Sequence, residues 1–109
     1  MAFDQALAER VRPLLAKTSG VVEKKMFGGL AFLINGNMSV GIRGAELIVR
    51  IDPAGTDEAL TESGVRIFDI TGRPMKGWLL VSAEAVSQAQ ALAQWVDRGV
   101  SYALSLPAK

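Results

Sequence analysis

The chain of 109 residues contains neither cysteine nor histidine. Disulfides are excluded, and so are thiolate and imidazole metal sites, leaving hard oxygen ligands as the side-chain route to a cation. The same two absences narrow any catalytic reading to carboxylates, lysines, serines and threonines. A charge excess of either sign is also lacking: twelve Lys and Arg stand against eleven Asp and Glu, for a net charge of +1. The chain therefore does not have the footprint of a dedicated nucleic-acid binder. Met1 to Leu15 alternates charged with apolar residues. With no long apolar segment there, no Sec signal peptide or membrane span is expected, and the expected location is the cytoplasm. Internal repeats, low-complexity tracts and linkers are absent as well.

What is present is hydrophobic: half of the residues are apolar and 21% are charged. That balance marks a folded globule, and the length marks one domain, 1–109. Such a chain buries roughly two-thirds of the surface its unfolded form exposes. The apolar fraction is high for so small a domain, and a homodimer interface is the expected outlet for the surplus.

Phe3, Leu7, Val11, Leu14 and Leu15 recur at helical steps, so the first element is an amphipathic helix. Pro13 is expected to kink it or restart it near Arg12. Four apolar runs follow, Val21 to Phe27, Leu30 to Ile34, Met38 to Ile42 and Leu47 to Ile51. They are separated by Gly28-Gly29, Asn35-Gly36-Asn37 and Arg43-Gly44-Ala45, breaks short enough to force an antiparallel meander. Asn35-Gly36 predicts a type I′ turn, since both central residues need positive φ. Met38, Val40 and Ile42 alternate as one buried face. Leu30 to Ile34 has no polar face, which predicts cover on both sides: helices on one and a partner subunit on the other.

Beyond Asp52-Pro53, Thr56 is placed to cap a short helix reaching Ser63, with Gly64 ending it. Val65 to Ile70 and Lys76 to Val81 predict two more strands about a turn at Thr71-Gly72-Arg73-Pro74. Ser82 is placed to cap a long last helix whose stripe runs Val86, Ala89, Ala93, Val96, Val100 and Ala103, with Pro107 stopping it. The order is helix, antiparallel meander, short helix, two strands, long helix: an α+β domain.

No set of side chains announces catalysis. Asp52, Asp57, Glu58 and Glu62 match no calcium-loop spacing and are better explained by helix capping and solubility. Gly28-Gly29 joins strand to strand, unlike the strand-to-helix glycines that cradle phosphates. Asp69 is placed to organise its turn, and a ligand cleft near Asp69 and Lys76 ranks last among the readings. From residue 10 to residue 50, seven cations face only Glu23 and Glu46. Lys24, Lys25, Arg43, Arg73 and Lys76, with Arg50, Phe27 and Trp78 nearby, are the candidate contact residues for a partner or for nucleic acid. The favoured reading is that Phe27 and Trp78 fill the core while the cations are scattered.

Lys24-Lys25-Met26-Phe27-Gly28-Gly29-Leu30-Ala31-Phe32, Asn35-Gly36-Asn37-Met38 and Leu47-Ile48-Val49-Arg50 together resemble the amino-terminal domain family of the TfoX/Sxy regulators. Gly72-Arg73-Pro74-Met75-Lys76-Gly77-Trp78 and Trp95-Val96 complete the resemblance, which spans nearly the whole chain in order. It implies a secretion-chaperone-like α+β fold, one that frequently pairs as a homodimer. It also implies a non-enzymatic module that contacts a transcription-regulator protein, since relatives include competence regulators acting with a cyclic-AMP-responsive activator. No catalytic residue, metal or cofactor carries over. The competence regulators have a further carboxyl-terminal domain, and this chain is expected to be a stand-alone amino-terminal one. Direct nucleic-acid binding through the basic residues is the alternative.

Overall fold

A computed structural model describes residues 3–26, 28–69, 72 and 74–108. The first helix, α1 (Gln5–Leu15), begins where Asp4 accepts hydrogen bonds from the Ala6 and Leu7 N–H groups at 2.8 and 3.3 Å. Leu7, Ala8, Val11 and Leu15 form its buried stripe, whereas Leu14 is 40% exposed and Phe3 lies ahead of the helix in a bridge to Gly44. Pro13 does not restart α1, which was one of the two outcomes expected of it. It sits in the last turn, where its missing N–H removes one bond and few residues follow to be displaced.

Six strands form one antiparallel sheet: β1 (Val21–Met26), β2 (Gly29–Ile34), β3 (Asn37–Arg43), β4 (Glu46–Arg50), β5 (Val65–Ile67) and β6 (Trp78–Val81). Their spatial order is β1-β2-β3-β4-β6-β5. The first four are the meander, and Asn35 and Gly36 turn β2 into β3 with φ of 53° and 85°, as a type I′ turn requires. The last two strands are shorter than the sequence suggested. The Phe68 carbonyl accepts from Met75 N–H and the Met75 carbonyl from Trp78 N–H, so this stretch turns back on itself before β6 begins. Phe27, Ile70, Thr71 and Arg73, which the sequence reading placed on strands or in that turn, lie outside the described residues.

One irregularity changes which face a residue serves. Phe32 pairs with Val40 but Leu33 with Met38, so Ser39 is an extra residue in β3. Its hydroxyl donates to the Phe32 carbonyl at 2.7 Å, in the interior. The alternation predicted for Met38, Val40 and Ile42 is therefore broken. Val40 and Ile42 join the larger core beneath the helices, while Met38 turns to the opposite face with Ala31, Ile48, Phe68 and Leu80. That second face is packed by the chain's own Phe68, Met75 and Trp78. The two-sided burial of β2 is accounted for within one chain, and a partner subunit is not needed to explain it.

Two helix starts also differ from expectation. Asp52 caps a 3₁₀ turn (Pro53–Gly55) through Ala54 N–H at 2.9 Å, and α2 (Thr56–Ala59) is a single turn. Thr56 does not cap it. Its hydroxyl, buried, donates to the Pro53 carbonyl at 2.7 Å and accepts from Gly77 N–H at 2.8 Å, tying α2 to the entry of β6. Ser82 does accept from Ala85 N–H, yet the long helix α3 (Ala89–Ser105) begins only at Ala89. Arg10 donates to the Val86 and Ser87 carbonyls at 2.8 and 3.1 Å. Those carbonyls would serve the next turn of a continuing helix and are instead directed to α1. The C-terminal end of α3 is anchored by Asn37, whose side-chain amide donates to the Pro107 carbonyl at 2.9 Å.

Candidate functional site

The expected basic residues do not form one surface. Lys24 and Lys25 are neighbours on the edge strand β1, so their side chains leave on opposite faces of the sheet. Arg43 ends β3 and lies opposite Glu46, at the end of the sheet where β1 finishes. Lys76 lies in the turn that leads into β6, at the other end. All four are exposed. Arg73 lies outside the described residues. Lys24, Lys25 and Arg43 thus share one end of the sheet, and Lys76 is separated from them by the length of a strand.

Near Lys76 the structure assembles a group that helical and strand periodicity did not reveal. The Arg50 guanidinium, at the end of β4, lies 5.1 Å from the centre of the Trp78 ring and 5.5 Å from that of Tyr102. Trp78 in turn meets Phe68, with ring centres 6.3 Å apart. A cation between two aromatic faces is held by their quadrupoles. Tyr102 could be read in the sequence only as part of the apolar stripe of α3, because its contact with β4 depends on how that helix crosses the sheet. Trp78 fills part of the second core, as one of its two sequence readings had it.

The carboxylates have structural partners. Asp52 is the cap described above, and Glu62 pairs with Arg98 at 2.9 Å. The Arg98 guanidinium also stacks 4.0 Å from the centre of the Trp95 ring. Asp57 and Glu58 occupy the first turn of α2, where the helix dipole favours negative charge. An open hollow of about 510 Å³ lies between α2 and α3, edged by Asp52, Glu58, Asp97, Arg98 and Tyr102. Among the described residues no three carboxylates converge as a metal site would require.

Beside the edge strand, Arg12 of α1 grips Glu23 of β1 with two hydrogen bonds, at 2.8 and 2.9 Å. The hydrogen bonds to Arg12 hold the Glu23 carboxyl below its usual range, and the same bonds raise the Arg12 pKa. A hollow of about 340 Å³ opens next to this pair, with Leu15, Val21 and Phe32 in its lining. Val22, on the other side of β1, is 59% exposed. Among the described residues, no helix is long and apolar enough to cross a membrane.

The family model described as the TfoX N-terminal domain matches residues 13–103, from Pro13 in α1 to Ala103 in α3. No curated protein and no solved structure matches the chain.

Proposed function

Because this chain belongs to the TfoX N-terminal domain family, we propose that it is a non-enzymatic regulatory module that acts in the cytoplasm through protein–protein contacts, as a homodimer. The observation that carries this reading is the family match, which takes in the whole sheet and nearly all of α3. The use made of the buried polar groups supports it. Asn37, Ser39 and Thr56 each bond backbone carbonyls or N–H groups and so serve the fold. The exposed polar surface remains for recognition. Lys24 and Arg43, which lie on the same face at one end of the sheet, suit an acidic patch on a transcription-regulator protein.

Affinity capture from the native host, with and without nuclease, tests the reading. A transcription regulator or polymerase subunit retained after nuclease is the expected result. Recovery of the bait alone would remove the proposal. Partners lost with nuclease would transfer it to nucleic acid, whose binding would then weaken steeply with salt.

A further inference from the structure

The strand β1 is one edge of the sheet, six residues long, with no proline and no irregularity in its pairing to β2. Edge strands expose alternate N–H and C=O groups that a further strand can pair with, and lysines commonly guard them. Here the guarding charges have a particular arrangement. Glu23 and Lys25 lie opposite Phe32 and Leu30, on the helix side, while Val22, Lys24 and Met26 lie on the other side.

We propose that two copies of this chain join antiparallel through their β1 edges, with Lys24 opposite Lys24 of the partner subunit, giving one continuous twelve-stranded sheet. The proposal rests on the homodimer reading above and locates its interface. A two-fold axis perpendicular to the sheet keeps the helices of both copies on one side, so paired residues must share a face. With Lys24 on the axis, Glu23 meets the partner's Lys25, and Val22 meets the partner's Met26, each pairing occurring twice. Opposite charges and apolar pairs placed directly across strands are stabilising. The neighbouring registers lack this match. Centring on Glu23 sets two carboxylates against each other and Val22 against a lysine. Centring on Lys25 sets lysine against lysine and Lys24 against methionine. Lys24 on the axis likewise faces its own copy, so a like-charged central pair is common to all three registers and the flanking pairs decide between them. Lys25 therefore selects the register through Glu23, while the Lys24 pair opposes the contact as an edge guard does.

Two features beside the edge fit a second copy. Val22 is a large apolar side chain left 59% exposed. The hollow of about 340 Å³ near Arg12 and Glu23 lies where the partner's Lys25 would lay its hydrocarbon stem, with its ammonium reaching Glu23.

The chain has no cysteine, so single cysteines report the register directly. Opposed residues of an antiparallel pair have Cα atoms about 4.5–5.5 Å apart, within disulfide reach. In the proposed register, residue 22 and its counterpart are offset by four residues, about 13 Å, and cannot be bridged. Light scattering on the wild type, with mild oxidation of Lys24→Cys and Val22→Cys, is the experiment. A dimeric wild type is expected, with Lys24→Cys captured as a covalent dimer, Val22→Cys left uncrosslinked, and Lys25→Glu shifted to monomer. A monomeric wild type would overturn this proposal and the homodimer reading together. A dimeric wild type in which Lys24→Cys fails to crosslink, or Val22→Cys crosslinks equally, would overturn the edge pairing alone.

Discussion

Gly99 of α3 rests directly on Ser39, the extra residue of β3: a Cβ built at Gly99 would stand 2.6 Å from the Ser39 carbonyl oxygen and 2.6 Å from Val40 Cγ1. The bulge pushes backbone toward the helix layer, and the helix answers with its one residue that has no side chain. Position 99 and position 39 are thus a matched pair across the core.

From this contact, Gly99→Ala should destabilise the protein. Alanine gains up to about 1 kcal/mol in helix propensity over glycine. The overpacking it introduces against a backbone carbonyl typically costs about 1–3 kcal/mol. Urea unfolding followed by circular dichroism should show a net loss, and a more stable variant would contradict the close approach.

Thr56→Val should be more damaging than its size suggests. The substitution keeps the volume but orphans the buried Gly77 N–H, while the Pro53 carbonyl keeps the backbone N–H of residue 56. That one unsatisfied buried donor costs about 1–3 kcal/mol. Thr56→Ser retains the hydroxyl and should recover most of the loss in the same denaturation assay. Equal stability of the valine and serine variants would show that the hydroxyl does not tie α2 to β6.

Arg10→Met preserves a long apolar stem while removing both hydrogen bonds to the Val86 and Ser87 carbonyls. A loss of about 1–2 kcal/mol is expected, because bonds to a charged donor on a part-exposed surface lie toward the lower end of their range. Amide exchange should speed up first in the segment 83–88 that these bonds hold. Protection there unchanged from wild type would assign the shape of the segment to other contacts.

The pair between Arg12 and Glu23 sets a pH dependence. Glu23 has a folded-state pKa lowered by its hydrogen bonds to Arg12. Its contribution to stability is therefore fully present above the unfolded glutamate pKa and is lost as pH falls through the lower folded-state value. Both side chains are substantially exposed, so the effect is small and weakens with salt. Glu23→Gln should lessen the acid-side decline in the urea midpoint without changing its slope at neutral pH. An identical acid limb in wild type and variant would exclude the linkage.

The amino-acid sequence by itself determined the elements whose causes are local. Asn35-Gly36 turns β2 into β3 because those two residues tolerate positive φ, and short breaks make consecutive strands antiparallel wherever they occur. The helical stripe of α3 was legible for the same reason in Val96 and Ala103, whereas Ala89 of the expected stripe, at the helix start, is exposed. Tertiary structure decided what depends on distant partners. Ser39 became a bulge by bonding the Phe32 carbonyl under Gly99, and one extra residue moved Met38 to the other face. Arg10, 76 residues away from Val86, delayed the start of α3 by engaging its would-be first carbonyls. The cations gathered in the sequence were scattered for a similar reason, since strand direction sends Lys24 and Arg43 to one end of the sheet and Lys76 to the other. Local dihedral preference and hydrophobic period act within a few residues. Register, facing and the order β4-β6-β5 are set by which surfaces pack best once the whole chain is present.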